Sequence, residues 1–82
     1  MSIHAANPEK STRLQRVLRV LRDGGRVGVT SRDLMLRANV VAPGTCVSEL
    51  RRSGYVIDCD LQTVYNNGAR VYAYKLLGRL PR

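Results

Sequence analysis

The residues of this chain best suited to chemistry are its arginines. Lys10 and Lys75 are the only lysines, so twelve of the 14 basic residues are Arg. The guanidinium group presents a planar fork of donors that fits phosphate oxygens and guanine edges, whereas a surface that needs only solubility would hold more lysine. With six acidic residues, the net charge is +8 over 82 residues. This surplus favours a polyanionic partner, either nucleic acid or an acidic membrane face, and the arginine bias favours nucleic acid.

Short hydroxyl side chains precede two of these arginines. Thr45 and Ser48 lie near the start of a predicted helix, where free backbone N–H groups form a ready phosphate site. Arg51 and Arg52 follow in the next turn and can reach guanine O6 and N7 or a phosphate. The spacing indicates a nucleic-acid contact on this helix.

Two residues of the same segment have alternative roles. Arg51 can instead lie against the following strand and pair with Asp58 or Asp60. Glu49 can accept a hydrogen bond from cytosine N4, or it can form a solvated pair with Arg52 three residues later.

Four more arginines recur every three residues near the start of the chain: Arg13, Arg16, Arg19 and Arg22. A polar stripe opposite a buried stripe is what any amphipathic surface helix shows. We therefore interpret this row as a solvated helix face.

The remaining polar residues do not favour catalysis or metal binding. His4 is the only histidine and lies outside any predicted element, so no Ser-His or Cys-His relay can form on a rigid site. Asp58 and Asp60 alone make a poor metal site. Cys46 and Cys59 are too few and too far apart for zinc, and we interpret them as small hydrophobic residues, with a disulfide or redox switch as the alternative. We predict no enzyme, no cofactor and no metal.

Apolar periodicity predicts two helices in the first half of the chain. The first has a buried stripe at i, i+3, i+4, i+7 spacing: Leu14, Val17, Leu18 and Leu21. Capping hydroxyls precede the two helices, at Ser11 or Thr12 and at Thr30 or Ser31. Asp23-Gly24-Gly25 ends the first helix and Asn39 ends the second, because Gly and Asn tolerate left-handed backbone angles. Between them, Val27-Gly28-Val29 alternates like a short strand.

A third helix is predicted from Pro43 to about Ser53. Proline suits the first turn of a helix, where its missing N–H has no acceptor, and Gly54 terminates the helix. The predicted buried side carries Cys46, Val47 and Leu50. The predicted outward side carries Thr45, Ser48, Glu49 and Arg52.

A hairpin is predicted after the third helix, because the apolar period changes to two. The first strand has apolar residues at alternate positions, which predicts that they share its buried face: Ile57, Cys59 and Leu61. Asn66-Asn67-Gly68 forms the turn, since Asn and Gly both accept positive φ. The second strand places three residues on one face: Tyr72, Tyr74 and Leu76. We assign its tyrosines to the core rather than to base stacking.

The order helix, short strand, helix, turn, helix, hairpin is that of a winged helix-turn-helix, an α+β fold. A chain of 82 residues has room for one such domain. We assign it to residues 11–77, with a disordered lead-in over 1–10 and a frayed tail over 78–82.

Several runs of the sequence resemble small helix-turn-helix domains often found in bacteriophage-type proteins. The most specific is Glu-Leu-Arg-Arg-x-Gly-Tyr-x-Ile at 49–57, followed by Tyr-x-Tyr-x-Leu at 72–76. The likeness covers about Thr12 to Leu77. It departs at Val-Val-Ala-Pro-Gly, residues 40–44, which lengthens or stiffens the turn before the third helix and alters the expected register there.

The resemblance implies that the third helix enters the major groove of DNA and that the hairpin forms a wing. The candidate groove residues are Gly44, Thr45, Ser48, Glu49, Arg51 and Arg52. The candidate wing residues are Asn66, Asn67 and Arg70. Arg32 begins the second helix, where such domains often touch the DNA backbone, and we expect a phosphate contact there.

These observations predict a double-stranded DNA-binding protein, either a sequence-specific transcriptional regulator or an architectural factor of phage or mobile-element type. The alternative is a protein-interaction module that uses the same fold without DNA. The small interface of one module argues for a homodimer or an array on DNA. No apolar run reaches the roughly 18 residues of a membrane span, and the start lacks a signal-peptide core. We expect a cytoplasmic protein of a bacterial host cell or its nucleoid, with no membrane partner and no small-molecule ligand.

Overall fold

The computed structural model describes residues 11–81, so the predicted lead-in over 1–10 and the last residue of the predicted tail lie outside the described residues. The elements are α1 (Thr12–Gly24), β1 (Val29–Thr30), α2 (Ser31–Arg37), α3 (Pro43–Arg52), β2 (Tyr55–Val64) and β3 (Arg70–Arg79). Three helices and a three-stranded antiparallel sheet confirm the predicted α+β class.

Local side-chain chemistry determines where the helices begin and end. The Ser11 hydroxyl accepts a hydrogen bond from the Leu14 N–H at 3.3 Å, and the Thr30 hydroxyl accepts one from the Asp33 N–H at 3.1 Å. These are the caps of α1 and α2. After α2 the chain turns at Asn39, whose φ is +53°, as the sequence predicts.

The sheet has the order β1-β3-β2, so β3 lies in the middle and pairs antiparallel with both neighbours. β1 begins later than the predicted Val27-Gly28-Val29. The Gly28 N–H donates to the Gly24 carbonyl at 3.2 Å, and Gly28 has a φ of +86°. The chain therefore becomes extended only after Gly28, and Val27 stays in the turn, 88% exposed.

The hairpin turn lies at Asn66-Asn67-Gly68 as predicted, with a different geometry. Of the three, only Gly68 has positive φ, at +86°. The Gly68 N–H donates to the Tyr65 carbonyl at 2.9 Å, and the Tyr65 N–H donates to the Ala69 carbonyl at 2.8 Å. This is a type I turn closed by a glycine bulge. Asn67 instead uses its side-chain oxygen, which accepts from the Ala69 N–H at 2.9 Å.

The end of the chain is more ordered than predicted. β3 continues through residues 78 and 79, where the sequence predicts a tail, and Arg79 pairs with Tyr55. The Arg79 guanidinium lies 4.6 Å from the centre of the Tyr55 ring, and the Leu80 N–H donates to the Gly54 carbonyl at 2.7 Å. Both contacts hold the end of β3 against the start of β2.

The core is aliphatic and lies between the helices and one face of the sheet. Its largest fully buried side chains include Leu14, Leu21, Leu34 and Leu50. Tyr74 is buried and Tyr72 packs against the core, as predicted. Burial raises the pKa of the Tyr74 hydroxyl, which keeps the ring neutral. Cys46 and Cys59 are free thiols and pack in or against the same core.

The end of the hairpin projects beyond this core. Every residue from 61 to 70 is exposed, and we call this segment the hairpin arm. The predicted burial of Leu61 is therefore wrong, since its side chain is 50% exposed. The alternating pattern continues along β2 past the point where helices cover the sheet. In the described part of the chain, no helix has the length and apolarity needed to cross a membrane.

Truncation of Leu50 tests the phase of α3. Leu50 is completely buried, so Leu50→Ala leaves a cavity and is expected to lower the free energy of unfolding by about 2–5 kcal/mol. Denaturant unfolding measures the change. Ser48→Ala, on the exposed side of the same helix, is the control and is expected to be nearly neutral. Equal stabilities for the two variants would mean that α3 is rotated from the described phase.

Candidate nucleic-acid interface

The outward side of α3 is the centre of the candidate interface. Cys46, Val47 and Leu50 are buried on the side that faces the core. The exposed residues include Gly44, Thr45, Ser48 and Arg52. The structure therefore brings these four predicted residues together on a solvent-facing surface.

The flank of α3 that faces α1 is occupied by an ion pair. Arg13 Nη2 donates to Glu49 Oε2 at 2.6 Å, and Arg13 Nη1 donates to Cys46 Sγ at 2.9 Å. The Glu49 side chain is only 16% exposed. The hydrogen bond to Glu49 raises the pKa of Arg13, so the guanidinium stays charged. Glu49 thus pairs across the helices with Arg13, and not with Arg52 as the sequence alternative had it.

The opposite flank of α3 is occupied by Arg51. Its Nε and Nη2 both donate to the carbonyl oxygen of Ile57 in β2, at 3.1 and 2.6 Å. The alternative that placed Arg51 against the strand is correct in location, but its partner is this carbonyl and neither of the two aspartates. Two of the donors of Arg51 are thereby engaged within the protein.

The two flanking contacts divide the polar residues of α3 into those that hold the helix in place and those whose side chains can meet a ligand. Glu49 and Arg51 hold α3 between α1 and β2, and a carboxylate or guanidinium engaged in this way is less free to meet a base. Arg52, Thr45 and Ser48 keep their polar groups toward solvent. The sequence groups all five as candidate contacts, whereas the structure divides them.

The start of α3 adds backbone donors to this surface. No side chain within residues 11–81 caps α3, and Pro43, its first residue, has no N–H. The N–H groups of Gly44 and Thr45 therefore point from an uncapped helix start, where the helix dipole favours an anion.

The turn between α2 and α3 is held by contacts to both α1 and α2. Val40 is buried and its N–H donates to the Met35 carbonyl at 3.0 Å, while Val41 is 94% exposed. Arg16 Nε donates to the Ala38 carbonyl at 2.9 Å and ties this turn to α1. The start of this turn, residues 38–40, is thus held by one contact to α2 and one to α1.

A groove joins the start of α2, the start of α3 and the hairpin arm. It has a volume of about 320 Å³, and we call it the arm groove. Its lining includes two arginines and four less polar residues: Arg32, Arg70, Met35, Pro43, Tyr65 and Val71. Arg32 and Arg70 are distant in sequence but line the same groove, so two predicted phosphate contacts lie together. Asn66 and Asn67 are exposed at the tip of the hairpin arm, and Asn67 is engaged with Ala69.

Most of the described aspartates lie away from this surface, but Asp33 is exposed in the first turn of α2, beside Arg32. Asp58 and Asp60 are exposed on β2, where they stand opposite Lys75 and Ala73 of β3. Asp23 lies 3.7 Å from Arg37. No cluster of three or more metal-binding side chains occurs among residues 11–81.

Comparison of the chain with protein-family models, with curated proteins and with solved structures finds no match in any of the three.

A double-mutant cycle on Arg13 and Glu49 tests the flanking ion pair. Each single change to Ala is expected to lower the free energy of unfolding, and the coupling between them is expected to be about 1 kcal/mol, because the pair is only partly exposed and hydrogen-bonded. Denaturant unfolding of the four proteins gives the coupling. A value of zero would show that the pair does not help to hold α3.

Proposed function

We propose that this chain is a sequence-specific double-stranded DNA-binding protein with a winged helix-turn-helix architecture. The observation that carries the proposal is the solvent-facing side of α3, with Thr45, Ser48 and Arg52, beside a groove lined by Arg32 and Arg70. A net charge of +8 supports a polyanionic ligand. We further propose that the protein acts as a transcriptional regulator or an architectural factor, in line with its resemblance to phage-type domains.

The element order and the sheet order support the winged-helix assignment. The short strand β1 joins the sheet next to β3, and β2 and β3 form the hairpin. In such an arrangement the helix before the hairpin enters the major groove, and the hairpin lies alongside the DNA as a wing.

Each group on this surface has a distinct part in binding. Arg52 reads the edge of guanine with its forked donors, and Thr45 and Ser48 donate to phosphates or bases. Arg32 and Arg70 neutralise phosphates at the arm groove. These backbone contacts position α3, and the base contacts of α3 provide the sequence preference.

A protein-interaction module is the second candidate, and the exposed apolar side chains of the hairpin arm favour it. Leu61, Val64 and Tyr65 are each about half exposed. Patches of this kind mark protein interfaces when they are contiguous. An apolar interface would show little dependence on salt, whereas DNA binding weakens steeply between about 50 and 200 mM salt.

Selection of bound sequences from a random duplex pool is the experiment that tests the proposed function. Enrichment of a defined motif is expected, and a palindromic motif would indicate that a homodimer binds. Failure to enrich any sequence would contradict specific DNA binding.

Substitution of Arg52 tests direct base recognition. Arg52→Ala is expected to lower specific affinity by about 1–3 kcal/mol and to relax the preference at one base position, because a bidentate contact is lost. Arg52→Lys keeps the charge but not the fork, and it should relax the same preference. Titrations against a specific duplex and single-base variants measure both effects. An equal loss on every sequence would make Arg52 a phosphate contact.

Substitution of Arg70 tests the wing. Arg70→Ala is expected to weaken binding similarly on all sequences and to reduce the log-log salt slope by about one, as loss of one phosphate contact does. Arg26→Ala is the matched control, since it removes one exposed arginine charge in the turn between α1 and β1, outside the proposed surface. Identical salt slopes for Arg70→Ala and the wild type would exclude the hairpin arm from the DNA surface.

A further inference from the structure

The outer face of α1 carries positive charge that the proposed DNA surface does not use. The helix contains Arg13, Arg16, Arg19 and Arg22, and its only acidic residue is Asp23. Arg13 and Arg16 are engaged with α3 and with the turn after α2. Arg19 and Arg22 are exposed, and their side chains make no hydrogen bond or ion pair within residues 11–81.

This row of like charges is unfavourable for the helix itself. Arg16, Arg19 and Arg22 follow each other at a spacing of three, and like charges three or four residues apart repel on a helix surface. A face that serves only solubility would be expected to alternate with acidic partners, which stabilise a helix at this spacing. Asp23 is the only acidic residue of α1 and its carboxylate lies 3.7 Å from Arg37, so the helix has four arginines against one aspartate. A surplus of exposed positive charge of this kind fits a surface that meets phosphates.

Part of the outer face of α1 lies on the side of that helix away from α3. Arg13 marks the flank of α1 that contacts α3. At about 100° per residue, Arg22 lies on the opposite flank of the helix from Arg13. We therefore do not expect a straight duplex bound along α3 to reach Arg22. DNA is stiff over about 500 Å, while the longest extent of residues 11–81 is 44 Å, so a duplex is not expected to bend around the domain.

We propose that Arg19 and Arg22 form a second phosphate-binding surface, on which the protein takes up a second DNA duplex and so bridges two DNA segments. This inference rests on the proposed function, and within it favours the architectural role over simple repression or activation. An anionic membrane fits less well. Interfacial helices insert large apolar side chains, and no large hydrophobic residue of α1 is exposed.

A duplex-capture experiment tests this second surface. A short duplex is immobilised and saturated with the full chain, and a labelled second duplex is then added. The wild type is expected to retain the second duplex. Arg19→Ala/Arg22→Ala is expected to retain about tenfold less at moderate salt, as loss of two phosphate contacts predicts, while binding the first duplex with nearly unchanged affinity.

Two control variants make the result specific. Arg32→Ala/Arg70→Ala removes the same charge from the arm groove, and it should weaken binding of the first duplex. Arg19→Lys/Arg22→Lys keeps the charge and should still retain the second duplex. Unfolding measurements on the Arg19→Ala/Arg22→Ala variant should show a stability close to that of the wild type, because relieved repulsion and the higher helix propensity of alanine offset the lost interaction of Arg22 with the helix dipole.

Several outcomes would overturn the inference. Equal capture of the second duplex by the wild type and Arg19→Ala/Arg22→Ala would assign bridging to dimerisation, and no capture by the wild type would exclude bridging. A matching loss of first-duplex affinity would place α1 on the same duplex as α3. Binding to anionic vesicles that depends on Arg19 and Arg22, with duplex capture unchanged, would assign the face to a membrane. If the first duplex is not bound at all, the proposed function fails as well.

Discussion

Two guanidinium groups hold α3 in place, one on each flank. They help to fix which residues of the helix face solvent. Arg13 joins it to α1 through Glu49, and Arg51 joins it to β2 through the carbonyl of Ile57. A helix packed only by aliphatic residues can rotate slightly as its core rearranges, because apolar contacts are not directional. Directional hydrogen bonds on both flanks oppose that rotation. The contacts of Glu49 and Arg51 therefore help to keep Arg52 and the hydroxyls of Thr45 and Ser48 toward solvent.

Arginine suits both tasks because its donors are spread around a planar group. Arg51 serves a second purpose, since β2 is the outer strand of the sheet and Ile57 has a backbone carbonyl that needs a partner. The exposed Asp58 and Asp60 follow on the same strand, and charges on an edge strand discourage pairing with another chain. Among the described acidic residues, Asp58 and Asp60 lie on a strand edge, Asp23 and Glu49 lie in ion pairs, and Asp33 lies in the first turn of α2. Arginines outnumber these acidic residues and give α3, the arm groove and α1 their positive charge.

Much of the fold could be predicted because its signals are local. Asn39 and Gly54 end helices through their own backbone preferences, and Ser11 and Thr30 cap through hydroxyls within one turn. The later start of β1 could not be predicted in the same way. Glycine accepts both signs of φ, and the positive φ of Gly28 is set by the turn in which its N–H donates to the Gly24 carbonyl.

The residues of the candidate site could be proposed from the sequence. Which of them hold α3 and which face solvent could not. Arg13 and Glu49 are far apart in sequence, and Arg51 reaches a backbone carbonyl that no residue pattern reveals. The exposure of Leu61 has the same origin, since a period of two records which side chains share a face and not whether a helix covers that face. Long-range packing, which a single sequence does not display, decides each of these cases.

Amide chemical-shift mapping of the full chain with one equivalent of a short duplex tests most directly whether DNA binds on the outward side of α3 and at the arm groove. The largest shifts are expected at Thr45, Ser48 and Arg52, with further shifts at Arg32 and Arg70. The segment of β2 that carries the exposed aspartates should change little. Shifts centred on that segment, with α3 unaffected, would contradict the proposed DNA surface.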